Sequence, residues 1–188
     1  MVGTDEERQQ IDQFTQHLIG VGGQVHRATD TTAAAKVIAR IADTTGDRTI
    51  WISGDVASRA PGLVEALAGL GHTPRVPATA AEVRDQPLGI GIGEAAIAET
   101  GSVIMSEPQV PSRAVTLMTE TLVIICPTAT LLPSLDEAAG VLRRIGADCA
   151  SYATFITGPS RTADIERQLT VGVQGPGVYH VILVDELA

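Results

Sequence analysis

Cysteine and lysine are scarce in this chain of 188 residues. The two cysteines, Cys126 and Cys149, form neither a C-x-x-C pair nor a cluster with histidines at zinc-ligand spacing. Because an iron–sulfur cluster usually takes four ligands, we expect this chain to hold no such cluster. We also expect it to hold no metal ion and no other cofactor. The single lysine, Lys36, falls on the solvated face of a predicted amphipathic helix, which argues against Schiff-base chemistry.

Positive charge and long apolar runs are also lacking. The net charge is −9, which argues against a nucleic-acid partner because phosphates need clustered lysine and arginine. No apolar run approaches the roughly 20 residues of a membrane span, and the charged N-terminus is unlike a secretory signal. We therefore expect a cytoplasmic protein without a membrane span, in which a local positive pocket can still bind a small anion.

Short apolar segments alternate with amphipathic ones along most of the chain, and 44% of the residues are hydrophobic. The predicted strands are Thr49–Ser53, Ser102–Ser106, Thr121–Cys126, Phe155–Thr157 and His180–Asp185. The predicted helices are one that follows Thr4 and ends near Ile19, Thr32–Ala42, Pro61–Leu70, a short one after Thr79, Leu135–Ile145 and Ala163–Leu169. We predict a turn or short helix over Gly93–Ala98, a loop at EPQVPSR and a loop around His26.

The predicted strands are apolar throughout rather than alternating, which is typical of a mainly parallel sheet covered on both faces. We therefore predict an α/β fold in one domain that covers residues 1–188, with an N-terminal helical part (1–45) and an α/β core (46–188). Binding sites in such sheets lie beyond the carboxyl ends of the strands, at the loops that lead into helices.

The segment TGPSRTADIE, which begins at Thr157, is predicted to be a strand-to-helix turn that builds a functional site. Gly158 permits a close backbone approach, and the free N–H groups at a helix start attract an anion. Arg161 adds a rigid set of donors, so we predict a small phosphate or carboxylate site. The predicted ligand-binding residues of this segment are Gly158, Ser160, Arg161, Thr162 and Asp164. The alternative is an ordinary capped helix, in which Arg161 pairs with Asp164 or Glu166.

Two further segments supply candidate site residues. In AIAETGSVIM, Glu99 stands among apolar residues before a strand, and Thr100 and Gly101 complete the predicted ligand-binding turn. Glu99 is a candidate catalytic nucleophile or base, or else a carboxylate that accepts backbone N–H bonds in a tight turn. The loop QGPG, with Gln174 and Gly175, precedes the last strand, and it is predicted to line a ligand pocket or to be a plain connector.

The strings AIAETGSVIM, ITGPSRTADIE and GVQGPG, followed by HVILVD, occur in an order and spacing that resemble the lactate utilization protein C family. Its members carry the LUD domain, formerly DUF162, and the resemblance runs from about Gly89 to the C-terminus. It implies a three-layer α/β fold similar to the NagB/RpiA/CoA-transferase group. Gln174 stands where relatives usually carry a histidine, and a second family histidine is missing from the stretch SRAVTLMTET.

The resemblance implies a part in the oxidation of L-lactate to pyruvate, as one of three proteins whose other members are iron–sulfur subunits. The chain would then be a non-redox component that binds a small anionic ligand. One alternative is a CoA-transferase-like or sugar-phosphate-isomerase-like enzyme that uses Glu99, by analogy with the glutamate that forms an acyl intermediate in CoA-transferases. Another alternative is a structural or regulatory partner whose pocket no longer functions.

Overall fold

The computed structural model describes residues 4–147, 152–162, 170–173 and 175–187. The α-helices of this part of the chain are α1 (Asp5–Gly20), α2 (Thr31–Thr45), α3 (Gly54–Arg59), α4 (Pro61–Gly69), α5 (Val110–Met118) and α6 (Ala138–Ala147). The strands are β1 (Gln24–Asp30), β2 (Thr49–Ile52), β3 (Thr73–Arg75), β4 (Leu88–Ile92), β5 (Ala95–Ile97), β6 (Ser102–Met105), β7 (Thr121–Pro127), β8 (Leu131–Leu132), β9 (Thr154–Ile156), β10 (Arg161–Thr162), β11 (Thr170–Val171) and β12 (Val178–Glu186).

A six-stranded sheet forms the centre of the fold, with the strand order β1-β12-β7-β4-β2-β3. Every neighbouring pair in this sheet is parallel. The two central strands, β7 and β12, are buried along most of their length, as their uninterrupted apolar sequences predicted. The predicted α/β fold around a mainly parallel sheet is confirmed.

Different layers cover the two faces of the central sheet. One face packs against α2, α3 and α4, whose apolar side chains share a core with β2, β4, β7 and β12. The other face packs against α1 and against a smaller sheet with the strand order β8-β5-β6-β9. The outer face of this smaller sheet is covered in turn by α6, so that the inner strands of both sheets are covered on both sides.

The N-terminal part of the chain contains a strand that the sequence did not predict. We expected a loop around His26, but residues Gln24–Asp30 form β1 and pair in parallel with β12. The strand lies at the edge of the sheet, and of its seven side chains only that of Ala28 is buried. An edge strand with one neighbour and little buried surface does not need an apolar sequence, which is why QVHRATD gave no strand signal.

Two predictions in the middle of the chain are wrong. The segment Gly93–Ala98, expected as a turn or short helix, contains β5. The consecutive residues Ala95 and Ala96 of this strand face α6 and the central sheet respectively. Alanine is weak in strands, so this segment carried no strand signal, and burial on both faces overrides that preference. The segment EPQVPSR, expected as a loop, is helical from Val110 onward, where α5 begins. The proline in the first turn of α5 is tolerated, because the backbone N–H that it lacks has no partner there.

Strand β4 was also missed, because its sequence LGIGI alternates with glycine. The structure gives the physical reason for these glycines. A Cβ atom added to Gly89 would lie 2.5 Å from the Val115 carbonyl oxygen and 2.6 Å from Thr119 Oγ1. The missing side chain lets α5 pack directly on the backbone of β4. Among the described residues, no helix combines the length and apolarity needed to cross a membrane.

We expect Gly89→Ala to lower the free energy of unfolding by about 1–3 kcal/mol, because the new methyl group must push α5 away from β4. Gly140→Ala is the matched control, since a Cβ at this exposed position of α6 would meet no atom within 4 Å. Alanine is the better helix former, so this control is expected to be neutral or stabilising by up to about 1 kcal/mol. Urea unfolding of both variants measures the difference, and equal stabilities would contradict the packing argument.

Candidate functional site

The turn after β9 packs against the carboxyl end of α1. Gly158 adopts a left-handed conformation with φ +86°, and a Cβ on it would lie 3.1 Å from the carbonyl oxygen of Val21. The exposed guanidinium of Arg161 donates a hydrogen bond to this same carbonyl oxygen. Arg161 and Thr162 form β10, which pairs antiparallel with β11. Arg161 therefore caps the carboxyl end of α1, where the carbonyl groups lack hydrogen-bond partners within the helix.

The turn Glu99–Gly101 reaches the same end of α1 from another direction. Gly101 has φ +67°, and a Cβ on it would lie only 2.6 Å from the backbone nitrogen of Leu18. His17 donates from Nδ1 to the carbonyl oxygen of Ala98, at a distance of 2.9 Å. A side chain at Gly101 would separate the helix from the turn, so this close approach depends on glycine.

Hydroxyl groups connect these two turns. Thr100 Oγ1 donates to Ser102 Oγ at 2.8 Å, and Ser102 Oγ lies 2.6 Å from Thr157 Oγ1. Ser102 is only 6% exposed, so the chain of hydroxyls runs inward from the turns. The sequence analysis did not single out Ser102, because a lone serine at the start of a strand carries no distinguishing pattern.

The loop before β12 forms the third part of this group. Ser160 donates its backbone N–H to the carbonyl oxygen of Pro176 at 2.8 Å, and its own carbonyl accepts from Gly172 at 2.9 Å. A Cβ on Gly175 would lie 3.2 Å from Cβ of Ser160, so the loop and the turn are in close contact. At its other end, Gly177 donates to the carbonyl oxygen of Glu120, just before β7.

The structure thus brings together most of the predicted ligand-binding residues, in a group that we call the turn cluster. Its described members are Thr100, Gly101, Gly158, Ser160, Arg161, Thr162 and Gly175. Asp164 and Gln174 lie outside the described residues, as does the predicted helix Ala163–Leu169. The turn follows the carboxyl end of β9, but β9 belongs to the smaller sheet. The turn cluster consequently lies at the amino ends of β7 and β12, and not at the carboxyl edge of the central sheet, where we expected a binding site.

Glu99, the candidate catalytic residue, has an exposed carboxylate rather than the apolar surroundings that its sequence context suggested. Its Oε2 accepts a hydrogen bond of 2.8 Å from the backbone nitrogen of Leu135, in the segment before α6. The backbone nitrogen of Glu99 donates to the carbonyl oxygen of Pro133. These contacts match the alternative interpretation, in which the carboxylate accepts a backbone N–H bond.

A second carboxylate, which the sequence analysis missed, is buried at the carboxyl edge of the central sheet. Glu107 is 1% exposed, its Oε2 accepts from Thr116 Oγ1 at 2.7 Å, and its Oε1 has no hydrogen-bond partner. Burial raises the pKa of Glu107 to about 7, although the hydrogen bond from Thr116 acts to lower it. The sequence signal was a single acidic residue two positions after the apolar strand SVIM.

The position of Glu107 follows from the connections of the sheet. Strand β2 continues through α3 and α4 to β3 on one side, whereas β4 continues through β5, β6 and α5 to β7 on the other side. Neighbouring strands whose connections leave in opposite directions form the crevice where ligands bind in open parallel sheets. Glu107 lies beside this crevice, since its carboxyl group is near Ser53, which follows β2, and near Gly91 of β4.

Residues 11–184 match the LUD domain family. Lactate utilization protein C of Bacillus subtilis (strain 168) is 35% identical over 102 residues, which cover 53% of this chain and 42% of that protein. The protein of the same name from Geobacillus kaustophilus (strain HTA426) is 37% identical over 102 residues, with the same coverage. The match therefore spans less than half of the length of these relatives.

The fold has a counterpart among solved structures. The crystal structure of a DUF162 family protein from Deinococcus radiodurans superposes with a TM-score of 0.65 over 95% of this chain and 98% of that chain. The two sequences are 18% identical, so this similarity supports the fold, and the family match supports the relationship.

We expect Glu107→Gln to change how the stability of the protein depends on pH. The folded-state pKa of Glu107 is about 7, above its ordinary value of 4.5, so its contribution to stability is complete below pH 4.5 and is lost as the pH rises through 7. Relative to the glutamine variant, the unsubstituted protein should therefore lose on the order of 3 kcal/mol between these limits. Urea unfolding at several pH values measures this difference.

Comparing the Glu107→Gln variant with the unsubstituted protein separates the effect of Glu107 on stability from the effects of other titrating groups. Burial lowers the pKa of His180 to about 4, so the stability that this histidine contributes is lost as the pH falls from 6.5 through 4, in the opposite direction. That contribution is present in both proteins and cancels. Glu65→Gln, at an exposed position of α4, serves as the control. A stability difference between the Glu107 variant and the unsubstituted protein that does not change with pH would contradict the assignment.

Proposed function

Because this chain belongs to the LUD domain family and aligns with lactate utilization protein C sequences over about half its length, we propose that it acts in the oxidation of L-lactate to pyruvate. In this proposal it is a non-redox component of an assembly and binds a small anionic ligand at the turn cluster. The single observation that carries the ligand site is the convergence of segments 99–102 and 157–161 at the end of α1, with segment 175–177 in contact with Ser160.

The non-redox role is inferred from the cysteine thiols and from the side chains that could bind a metal ion. The chain has two cysteines, and burial raises the pKa of the Cys126 thiol to about 12, which disfavours the thiolate that binds iron. Within the described residues, no group of three or more His, Cys, Asp or Glu side chains is placed to hold a metal ion. Electron transfer would then belong to iron–sulfur partner subunits, which we propose as the partners of this chain.

The ligand proposal rests on the donors that the turn cluster presents. The Arg161 guanidinium is exposed and uses one N–H on Val21, so further donors in its fixed plane can take a carboxylate or phosphate. The hydroxyls of Thr100 and Thr157 border the same end of α1. Such a local positive site suits a small anion even in a chain with a net charge of −9.

The alternative proposal, an enzyme of the CoA-transferase or sugar-phosphate-isomerase type, requires a reactive Glu99. Its exposed carboxylate already accepts the N–H of Leu135, and this contact gives no specific support to a nucleophile or base. The geometry therefore favours the first proposal.

We expect L-lactate, pyruvate or phosphate to raise the melting temperature of this protein, and Arg161→Ala to remove most of that rise, because bound ligand stabilises only the folded state. Losing a charge-assisted contact should weaken binding by roughly tenfold, or about 1.4 kcal/mol. A thermal-shift titration of each anion measures the effect.

Arg48→Ala is the matched control for this experiment. Arg48 is exposed, and it donates to the carbonyl oxygen of Gly71 at 3.0 Å, much as Arg161 donates to that of Val21. The control should lower the melting temperature without changing the ligand-induced rise. If the rise survives in the Arg161 variant, the anion binds elsewhere, and if none of the three anions produces a rise, the ligand proposal fails.

Co-purification tests the partner proposal separately. We expect the tagged protein, isolated without oxygen from its native cell, to carry subunits that show iron–sulfur absorbance in the visible range, since the chain has too few cysteines to hold a cluster alone. Mass spectrometry of the co-purified proteins identifies them. Recovery of the chain alone, with and without L-lactate in the growth medium, would count against a place in such an assembly.

A further inference from the structure

Exposed apolar side chains gather at the amino edge of the central sheet. Four of them, each between 42% and 50% exposed, belong to α5, β11, the loop before β12 and β12 itself. They are Leu117, Val171, Val173 and Val178, and we call them the amino-edge surface. An exposed apolar residue on its own needs no explanation, but a contiguous apolar patch marks a place where another molecule binds.

Close backbone contacts hold the segments of this surface together. A Cβ on Gly172 would lie 2.9 Å from the Cα atom of Gly177, so the segment 171–173 packs against the start of β12. A Cβ on Gly175 would lie 3.3 Å from the carbonyl oxygen of Leu117, which brings the same loop onto the end of α5. The four side chains therefore belong to one surface.

The surface is also free of charge along most of its length. No charged residue occurs in the segment 169–178, although 19% of the whole chain is charged. Exposed segments usually carry charged side chains, which are easily hydrated. At the centre of protein–protein interfaces, by contrast, charged residues are depleted and the buried area is more apolar. The composition of this segment is therefore that of an interface centre.

A pocket adjoins this surface, between α2 and the amino ends of β1 and β12. Val178 belongs to both, and the volume of the pocket is about 330 Å³. Its walls include the buried side chains of Val37 and Ile41. We call it the α2 pocket. Its size and its walls suit one large apolar side chain, and the residues that contribute most to protein binding usually fill such pockets.

Two histidines also line the α2 pocket. His26 Nε2 and His180 Nδ1 are 3.1 Å apart, so that the two rings share a hydrogen bond. Burial lowers the pKa of both rings, to about 4 for His180, and the charge of Arg40 also lowers the pKa of His26. Both rings are therefore neutral near pH 7, and they add no charge that would oppose an apolar occupant.

Arg40 supplies the positive charge at this pocket. It is exposed, and within the described residues it forms no ion pair, whereas Arg27 pairs with Asp185. A free guanidinium is complementary to a carboxylate, which it binds through two parallel hydrogen bonds. The charge and the pocket together select a partner in which an acidic residue stands beside a large apolar one.

We propose that the amino-edge surface and the α2 pocket form a docking site for a different protein. A segment of that protein places one large apolar side chain in the pocket and an aspartate or glutamate against Arg40, while further apolar residues cover the amino-edge surface. A second copy of this chain is disfavoured as the occupant, because each copy has a net charge of −9 and the two repel each other.

The docking site goes beyond the proposed function, which names a class of partner but no contact surface. It depends on the exposed valines, the pocket and Arg40, and on neither a bound anion nor an iron–sulfur cluster. Arg40 lies on α2, which packs on one face of the central sheet, whereas Arg161 contacts the end of α1 on the other face. Variants of Arg40 therefore test docking without altering the turn cluster.

Photo-cross-linking in the native cell detects the partner, even one that is held weakly. We expect Val173→p-benzoylphenylalanine to form a cross-linked product with a different protein. Val76→p-benzoylphenylalanine is the matched control and should not form it, since both valines are 50% exposed and Val76 follows β3, at the opposite end of the strand order from β1. Mass spectrometry identifies the cross-linked protein and the peptide that contacts position 173.

Titration of the identified protein against the purified chain then measures the apolar contact. We expect Val173→Asp to raise the dissociation constant at least about tenfold, because docking would bury a carboxylate without a partner. Val76→Asp introduces the same charge at an equally exposed valine, and it should change the constant less than about twofold.

The charged contact has its own pair of variants. Arg40→Glu should also raise the dissociation constant at least about tenfold, and the loss should shrink at high salt, which screens exposed charges. Lys36→Glu makes the same change of charge one turn earlier on α2, also at an exposed position, and should have a much smaller effect. Replacing the partner's acidic residue by arginine should restore binding to the Arg40→Glu variant, which a folding defect could not explain.

Several results would overturn the proposal. They are the absence of a cross-linked product specific to position 173, a product that joins two copies of this chain, and undiminished binding by either Val173→Asp or Arg40→Glu. The anion-induced rise in melting temperature should be the same in Arg40→Glu as in the unsubstituted protein. Loss of that rise would assign the α2 pocket to a small anion and refute docking there. A cross-linked partner without an iron–sulfur cluster would contradict the proposed assembly but not the docking site.

Discussion

A sheet in which every strand pair is parallel must be covered on both faces, because the crossover connections lie on those faces and its strands are apolar on both sides. Here α2 and α4 cover one face, and α1 with the smaller sheet covers the other. The smaller sheet is itself apolar on its outer side, and α6 covers it. Much of the remaining architecture, including the turn cluster, follows from this need to bury two faces of two sheets.

Packing of α1 on the smaller sheet explains why the turn cluster exists. Phe14 and Leu18 of α1 are fully buried against residues of both sheets. The carboxyl end of the helix is thereby held beside the turns that enter β6 and leave β9. Left-handed glycines at 101 and 158 allow the helix backbone to approach them closely. The position of Arg161, the main charged group of this cluster, is therefore a consequence of core packing.

Ionisable groups mark both edges of the central sheet. At the carboxyl edge, burial favours the protonated form of Glu107, and at the amino edge it favours the neutral forms of His26 and His180. The free-energy cost of burying a charge accounts for both effects. The two edges therefore hold groups that exchange protons in different ranges of pH, in a fold whose central strands are otherwise apolar.

The sequence by itself determined the fold class, and it singled out seven of the residues that the structure places in the turn cluster. Uninterrupted apolar runs such as Thr121–Cys126 report burial on both faces, and the strings around Gly101, Gly158 and Gly175 mark backbone that must pass close to other backbone. It did not reveal β1, β4 or β5, because edge exposure, glycine and alanine remove the local strand signal, and pairing with neighbours supplies the stability instead. Only the tertiary structure decided that the turn cluster lies at the amino edge, that Glu107 is buried, and that His26 and His180, separated by 154 positions, share a hydrogen bond. These properties depend on contacts between segments that are far apart in the sequence, and local sequence patterns do not specify such contacts.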